Sequence, residues 1–231
     1  MDQYVSELTG EMLLFGTLSK LLYASPEKEW IHSLMAEKVF DDIPFAAGQA
    51  DAARGLSLIQ NWNSAVWDKD PSAAFSDLET DYLNLFIGAG KVLAPPWESV
   101  YSSEERLVFQ EETLQVRAWY RRYGLQSEQL YHEPDDHIGL ELSFLAHLAQ
   151  LALQASEQND ETRFAKILRD QQAFLTEHPL RWTQTWCDLV DEHARTDFYR
   201  GVALLVNGAL RETNGFLQDA VAQLSGGTGT I

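Results

Sequence analysis

Apolar residues recur at three- and four-residue spacing along almost the whole chain, and alternating Val/Ile/Thr runs are nearly absent. That periodicity predicts α-helices throughout. A first helix is expected from about Val5 to Ala24, stopping before Pro26 because a residue preceding proline is pushed out of the helical region. Ser25-Pro26 opens a second, with Trp30, Ile31, Leu34 and Met35 on one face. A third, from about Ala46 to Trp67, carries the stripe Ile59, Trp62 and Val66. Asp70-Pro71 then caps and opens a fourth with Phe75, Leu78, Tyr82, Leu85 and Phe86. Gly88-Ala89-Gly90 and Pro95-Pro96 interrupt the pattern until Ser102-Ser103-Glu104-Glu105, a capping box for a fifth helix that carries Leu107, Val108, Leu114 and Trp119 to Gly124. After a second long loop, Asp135 or Asp136 caps a helix bearing Leu140, Phe144, Leu145, Leu148 and Leu151. Asp160, Pro179 and Asp197 start the last three.

The expected fold is therefore all-α, a single-domain helical bundle of about nine or more helices over residues 1–224, with 225–231 as a flexible Gly-rich tail. No repeat at a fixed period divides the chain.

Charge narrows the partners. Among 231 residues, 35 Asp and Glu against 17 Lys and Arg leave a formal charge of -18, which opposes nucleic acid and anionic membrane surfaces and suits a basic partner. The single cysteine, Cys187, permits no internal disulfide and has no zinc-type spacing around it, which fits a reducing cytoplasm. The N-terminus has no basic stretch followed by an apolar run, so no export signal is expected. The longest nearly apolar segment, Gly201 to Leu210, is about half of the roughly 20 residues a membrane span needs, and no span is expected.

Two connections near a dozen residues are long for a bundle. The first contains Tyr82-x-x-Leu85-Phe86-x-Gly88 and Pro95-Pro96-Trp97-x-Ser99-Val100-Tyr101. The second contains Glu133-Pro134-x-Asp136-His137-x-Gly139. With His178 to Trp182 and Phe198-Tyr199-Arg200, these blocks resemble the redox enzyme maturation chaperones of the TorD, DmsD and NarJ type, over about Leu78 to Arg200. The dimethyl-sulfoxide-reductase type looks closest, although Tyr82 and Tyr101 stand where such relatives often carry tryptophan. The resemblance implies a non-enzymatic, cytoplasmic chaperone without a cofactor. It would bind the twin-arginine signal peptide and the apo form of a molybdopterin-dependent catalytic subunit, and hold back export until the cofactor is loaded. The Tat translocase is an admissible further partner, and the chain is expected as a monomer or a swapped dimer. Carried over residue by residue, the peptide-binding positions are Tyr82, Leu85, Phe86, Pro96, Trp97 and Tyr101, with Glu133, Pro134, Asp136 and His137.

The chemistry of such a leader suits these residue types. Carboxylates accept bidentate hydrogen bonds from arginine, and aromatic and leucine side chains wall an apolar trough. Each residue also has a plainer reading. The aromatics can plug the core, and one aspartate can cap the helix that follows, leaving the other and Glu133 free. Two alternatives stand beside the leader-binding reading: an assembly factor that grips the mature reductase, and a helical metal-dependent hydrolase using Asp135, Asp136, His137 and Glu141. The second lacks the paired ligand motifs of known helical metal sites, and no metal is expected.

Overall fold

The computed structural model describes every residue except 42, 44, 46, 47, 89, 103, 128–132 and 227–231. Among the described residues it contains ten α-helices and no strand: α1 (Val5–Tyr23), α2 (Lys28–Ala36), α3 (Ala50–Trp62), α4 (Pro71–Tyr82), α5 (Ser99–Ser102), α6 (Glu111–Arg122), α7 (Ile138–Glu157), α8 (Glu161–Glu177), α9 (Pro179–His193) and α10 (Asp197–Gly226). The largest interfaces are α1 against α7 and α3 against α10. The second is close because two glycines face each other: a Cβ on Gly55 would sit 2.5 Å from the Gly201 carbonyl oxygen, inside van der Waals contact.

Several boundaries obey the local chemistry. Asp70 accepts from the backbone N–H groups of Ser72 and Ala73 (3.2 and 3.1 Å), and Asp160 from that of Arg163 (2.9 Å), each satisfying donors a helix start leaves unpaired. Pro71 and Pro179 occupy first-turn positions where their missing N–H costs nothing.

Other boundaries depart from the periodicity. α3 is followed by a π-turn over Asn63–Trp67, where the Asp68 N–H reaches back five residues to the Asn63 carbonyl (2.9 Å). The extra residue slips the apolar stripe by one, so Trp67 is buried and Val66, expected inside, is exposed. A second π-turn, Leu83–Ile87, follows α4 and keeps Leu85 and Phe86 inside. The fifth predicted helix does not begin at the capping box. A single turn, α5, precedes an irregular stretch in which Arg106 and Phe109 take left-handed φ of 52° and 60°, and α6 begins only at Glu111. Leu107 and Val108 are left outside any helix. α10 runs through Ser225 and Gly226, which the sequence assigns to a tail; the rest of that tail, 227–231, lies outside the described residues.

α7, not the Gly201 to Leu210 stretch, is the most apolar long helix: Ile138–Glu157 has mean hydropathy 1.2, enough by length and composition to cross a membrane. Its apolarity is explained by packing against α1 on one side and α8 on another, and it carries a fully buried glutamate, Glu141.

Candidate functional site

Pro95 and Pro96 deny the loop after α4 a helical course, and the extended backbone that results pairs with the segment entering α7. The Ile138 N–H donates to the Pro96 carbonyl (2.8 Å) and the Glu98 N–H to the Asp136 carbonyl (3.0 Å), making an antiparallel bridge between Trp97 and His137. The two loop motifs, 36 residues apart at Trp97 and Glu133, thus form one corner, tied again where the Trp97 indole Nε1 donates to Glu133 Oε1 (2.6 Å).

The aspartates do not cap α7. Asp136 is fully buried and accepts from the Ser99 N–H (2.8 Å) and from the Thr113 hydroxyl of α6 (2.6 Å). Asp135 is buried against the Arg117 guanidinium (2.6 and 2.8 Å), and its carbonyl accepts from the Tyr120 hydroxyl (3.0 Å). The cap is His137, whose Nδ1 accepts from the Gly139 N–H (3.0 Å). That bond requires a neutral ring, and burial pushes the imidazole pKa down to about 3. The ring is fixed edge-on to Tyr23 and Trp97, and Gly139 lets α1 come close: a Cβ there would lie 2.7 Å from that of Tyr23. The expectation that one aspartate would be left free is therefore corrected. Both are occupied, because Thr113 and Arg117, one helical turn apart on α6, reach them first.

A second buried polar layer lies behind the corner. Glu98 Oε2 is within hydrogen-bond distance of His178 Nδ1 (2.9 Å), and Trp182 Nε1 donates to Glu141 Oε2 (3.3 Å). Burial first, then the neighbouring Glu98 and Asp136 carboxyls, hold the Glu141 pKa well above the usual carboxylate range. Tyr101 covers this layer, stacked on Trp182 at 5.2 Å with its hydroxyl donating to the Pro95 carbonyl (2.8 Å).

Of the ten positions named from sequence, three keep solvent exposure: Trp97, Tyr101 and Glu133. Pro96, Pro134, Asp136 and His137 are buried within the corner. Tyr82, Leu85 and Phe86 lie in the core beneath it. The Tyr82 hydroxyl donates to the Leu22 carbonyl (3.2 Å), Phe86 packs on Trp186 and Tyr199, and the Leu85 carbonyl accepts from the Ala94 N–H (2.9 Å), anchoring the Pro95-Pro96 segment. Their burial follows from the apolar stripe of α4 continuing through the π-turn. Sequence reasoning passed over Thr113, Arg117 and Glu98, and used His178 only as part of the His178 to Trp182 block of the resemblance, with no role assigned. A Thr–Arg pair four apart on one face of α6 was the available signal for the first two.

A groove of about 530 Å³ opens away from these residues, between α1, α10 and the segment after α2, lined by Leu13, Leu14, Phe40, Ile43, Phe45 and Phe216. Among the described residues no group of three His, Cys, Asp or Glu is arranged to hold a metal ion.

Residues 49–188 match the family described as nitrate reductase delta subunit. The chain is 31% identical over 195 residues to the Tat proofreading chaperone DmsD of Salmonella typhimurium, covering 84% of each protein. It is 28% identical over 150 residues to the chaperone protein TorD of Aliivibrio fischeri, covering 65% of this chain and 67% of that one. A crystal structure of a candidate redox enzyme maturation protein from Archaeoglobus fulgidus overlays with a TM-score of 0.45 at 21% identity, covering 90% of this chain and 93% of that one. The matched region contains α3 to α8 and the whole Trp97–His137 corner, and the chain belongs to the nitrate reductase delta subunit family, the family of the TorD and DmsD chaperones, and is a chaperone, not an enzyme.

Proposed function

We propose that this chaperone works in the cytoplasm, binding the twin-arginine signal peptide of a molybdopterin-dependent reductase at the Trp97–Glu133 corner and delaying export until the apo subunit has received its cofactor. The observation that carries the reading is the bond between the half-buried Trp97 indole and the Glu133 carboxylate, set on a corner whose two aspartates are already occupied by partners inside the fold. Among the described residues no Lys or Arg pairs with Glu133, so it is the acid of the motif that can receive a guanidinium. Trp97 and Tyr101 offer flat apolar surface beside it. Pro96, Pro134, Asp135, Asp136 and His137 hold those three groups in place, and Tyr82, Leu85 and Phe86 form the platform below.

Magnitudes divide the work. An exposed ion pair contributes roughly 0–1 kcal/mol, and a well-buried apolar side chain roughly 1.5–3 kcal/mol. Affinity therefore comes mainly from the apolar part of the leader, after an association cost of about 4–15 kcal/mol, and the charge of -18 speeds encounter with a basic peptide. The DmsD relative, a Tat proofreading chaperone, supports the leader as target.

Calorimetry with twin-arginine leaders tests this. Binding that weakens on Trp97→Ala with little change in melting supports it. A chaperone that holds a leaderless reductase as tightly as the full precursor, and ignores the isolated leader, overturns it in favour of a grip on the mature subunit.

A further inference from the structure

The corner leaves one requirement unmet: the leader's apolar segment needs apolar surface, and Tyr82, Leu85 and Phe86 are sealed in the core. Such a surface stands beside the corner. Leu107, Val108, Phe109 and Leu114 are 49, 36, 46 and 60% exposed, four large apolar side chains within eight residues. A simple helix over this stretch would have turned most of them inward. The left-handed residues Arg106 and Phe109 prevent that helix, and a bulky side chain such as phenylalanine rarely adopts that backbone conformation.

The patch is attached to the corner at both ends. Leu114 follows Thr113, which bonds Asp136, and Arg117 one turn later holds Asp135. At the other end the Arg106 guanidinium lies 6.0 Å from the Tyr101 ring. In sequence the apolar tip is flanked by Glu104 and Glu105 on one side and Glu111 and Glu112 on the other, with Arg106 the one cation in that stretch. An apolar surface bordered by acidic residues repels anionic lipid and favours a segment that is both apolar and cationic.

We infer that residues 104–114 are the docking surface for the apolar stretch that follows the paired arginines of the client's leader, while the Trp97–Glu133 corner takes the arginines. This rests on the leader-binding reading above and adds to it a surface outside both loop motifs. A stretch of 7–15 residues is long enough to cover a patch of four side chains.

The test uses the full chain and two synthetic peptides: paired arginines followed by a twelve-residue Leu/Ala stretch, and the same peptide with that stretch replaced by Ser/Gly. The variant is Phe109→Gly with Leu114→Ser. Glycine accepts the left-handed backbone freely, so melting should hold or improve, whereas a merely structural patch would lose stability. The expected result is an affinity for the apolar peptide at least about ten-fold weaker, with the Ser/Gly peptide changed less than about two-fold. Unchanged affinity for the apolar peptide overturns the docking surface and leaves the leader reading standing. A wild-type chain that binds neither peptide overturns both. Phosphatidylglycerol vesicles and sedimentation provide the competing outcomes: vesicle binding, or self-association, that the variant abolishes would assign the patch to a membrane or to a second copy and overturn the inference.

Discussion

Two sets of buried carboxyl groups meet beneath Tyr101 and Trp97, and the chain gives them different partners. Asp135 and Asp136 are met by a guanidinium, a hydroxyl and a backbone N–H, the partners that stabilise an ionised group. Glu98 and Glu141 face an imidazole and an indole with no Lys or Arg among their described partners, and Glu141 is pushed toward its neutral form. The lesson is that acidity in a sequence motif does not specify binding. The motif's aspartates build the corner, and the acid proposed for a ligand is Glu133, whose hydrogen-bond partner among the described residues is the Trp97 indole.

The comparison breaks most visibly at Asp135. Removing it by Asp135→Ala leaves Arg117 largely buried without its counter-ion, a loss expected to cost about 3–5 kcal/mol. Asp136→Ala strands the Ser99 N–H and the Thr113 hydroxyl, for about 2–4 kcal/mol at roughly 1–2 per orphaned donor. Urea unfolding monitored by circular dichroism measures both. If either variant keeps wild-type stability, the corner is not held together by these bonds.

How much of this the sequence could say follows from what local pattern encodes. Helix type, the Asp70-Pro71 and Asp160 starts, and the Ile31, Leu78 and Leu145 core positions all depend on spacing and capping, which adjacent residues carry. The joining of Trp97 to His137 does not. It is a pairing between distant segments, and only the resemblance to known chaperones placed both motifs in one site. The misread α7 cap has the same origin: Asp136 looks like a cap in isolation, and Thr113 and Ser99 outcompete the helix end for it. The left-handed turns at Arg106 and Phe109 have no local signature, since neither residue favours that conformation.

The next effect is one of pH, and Glu141 and His137 should move it in opposite directions. Glu141 has its folded pKa raised, so the folded chain holds a proton there that the unfolded chain has released. The stability this gives is complete below about pH 4.5 and is lost as pH rises through the folded value, with a slope of at most about 1.4 kcal/mol per pH unit. Glu11, buried in α1 beside Gln171, acts in the same sense. His137 acts against them: its folded pKa of about 3 lies below the ordinary 6.5, so stability present above pH 6.5 is lost as pH falls toward 3. Glu141→Gln should flatten the decline above pH 4.5 and leave the acid limb unchanged, while His137→Asn, which can keep a capping acceptor, should flatten the acid limb alone. Unfolding free energies from pH 3 to 8 check both; identical profiles for wild type and Glu141→Gln would show that this carboxyl is ionised in the fold.

The smallest expected effect belongs to Glu133, and it separates the acid proposed to bind from the acids that build. Glu133→Gln keeps an oxygen for the Trp97 indole and removes the charge, so unfolding should shift by less than about 0.5 kcal/mol. An exposed or half-exposed ion pair contributes at most about 1 kcal/mol, so affinity for a twin-arginine leader should fall no more than about five-fold, and less at high salt. The salt dependence discriminates. If Glu133 receives a guanidinium, the gap between wild type and variant narrows between 50 and 500 mM salt; if it only orients the indole, the gap is the same at both. A constant gap would leave Glu133 a support for Trp97, and the arginines would have to be met elsewhere on a surface whose remaining corner acids are already taken.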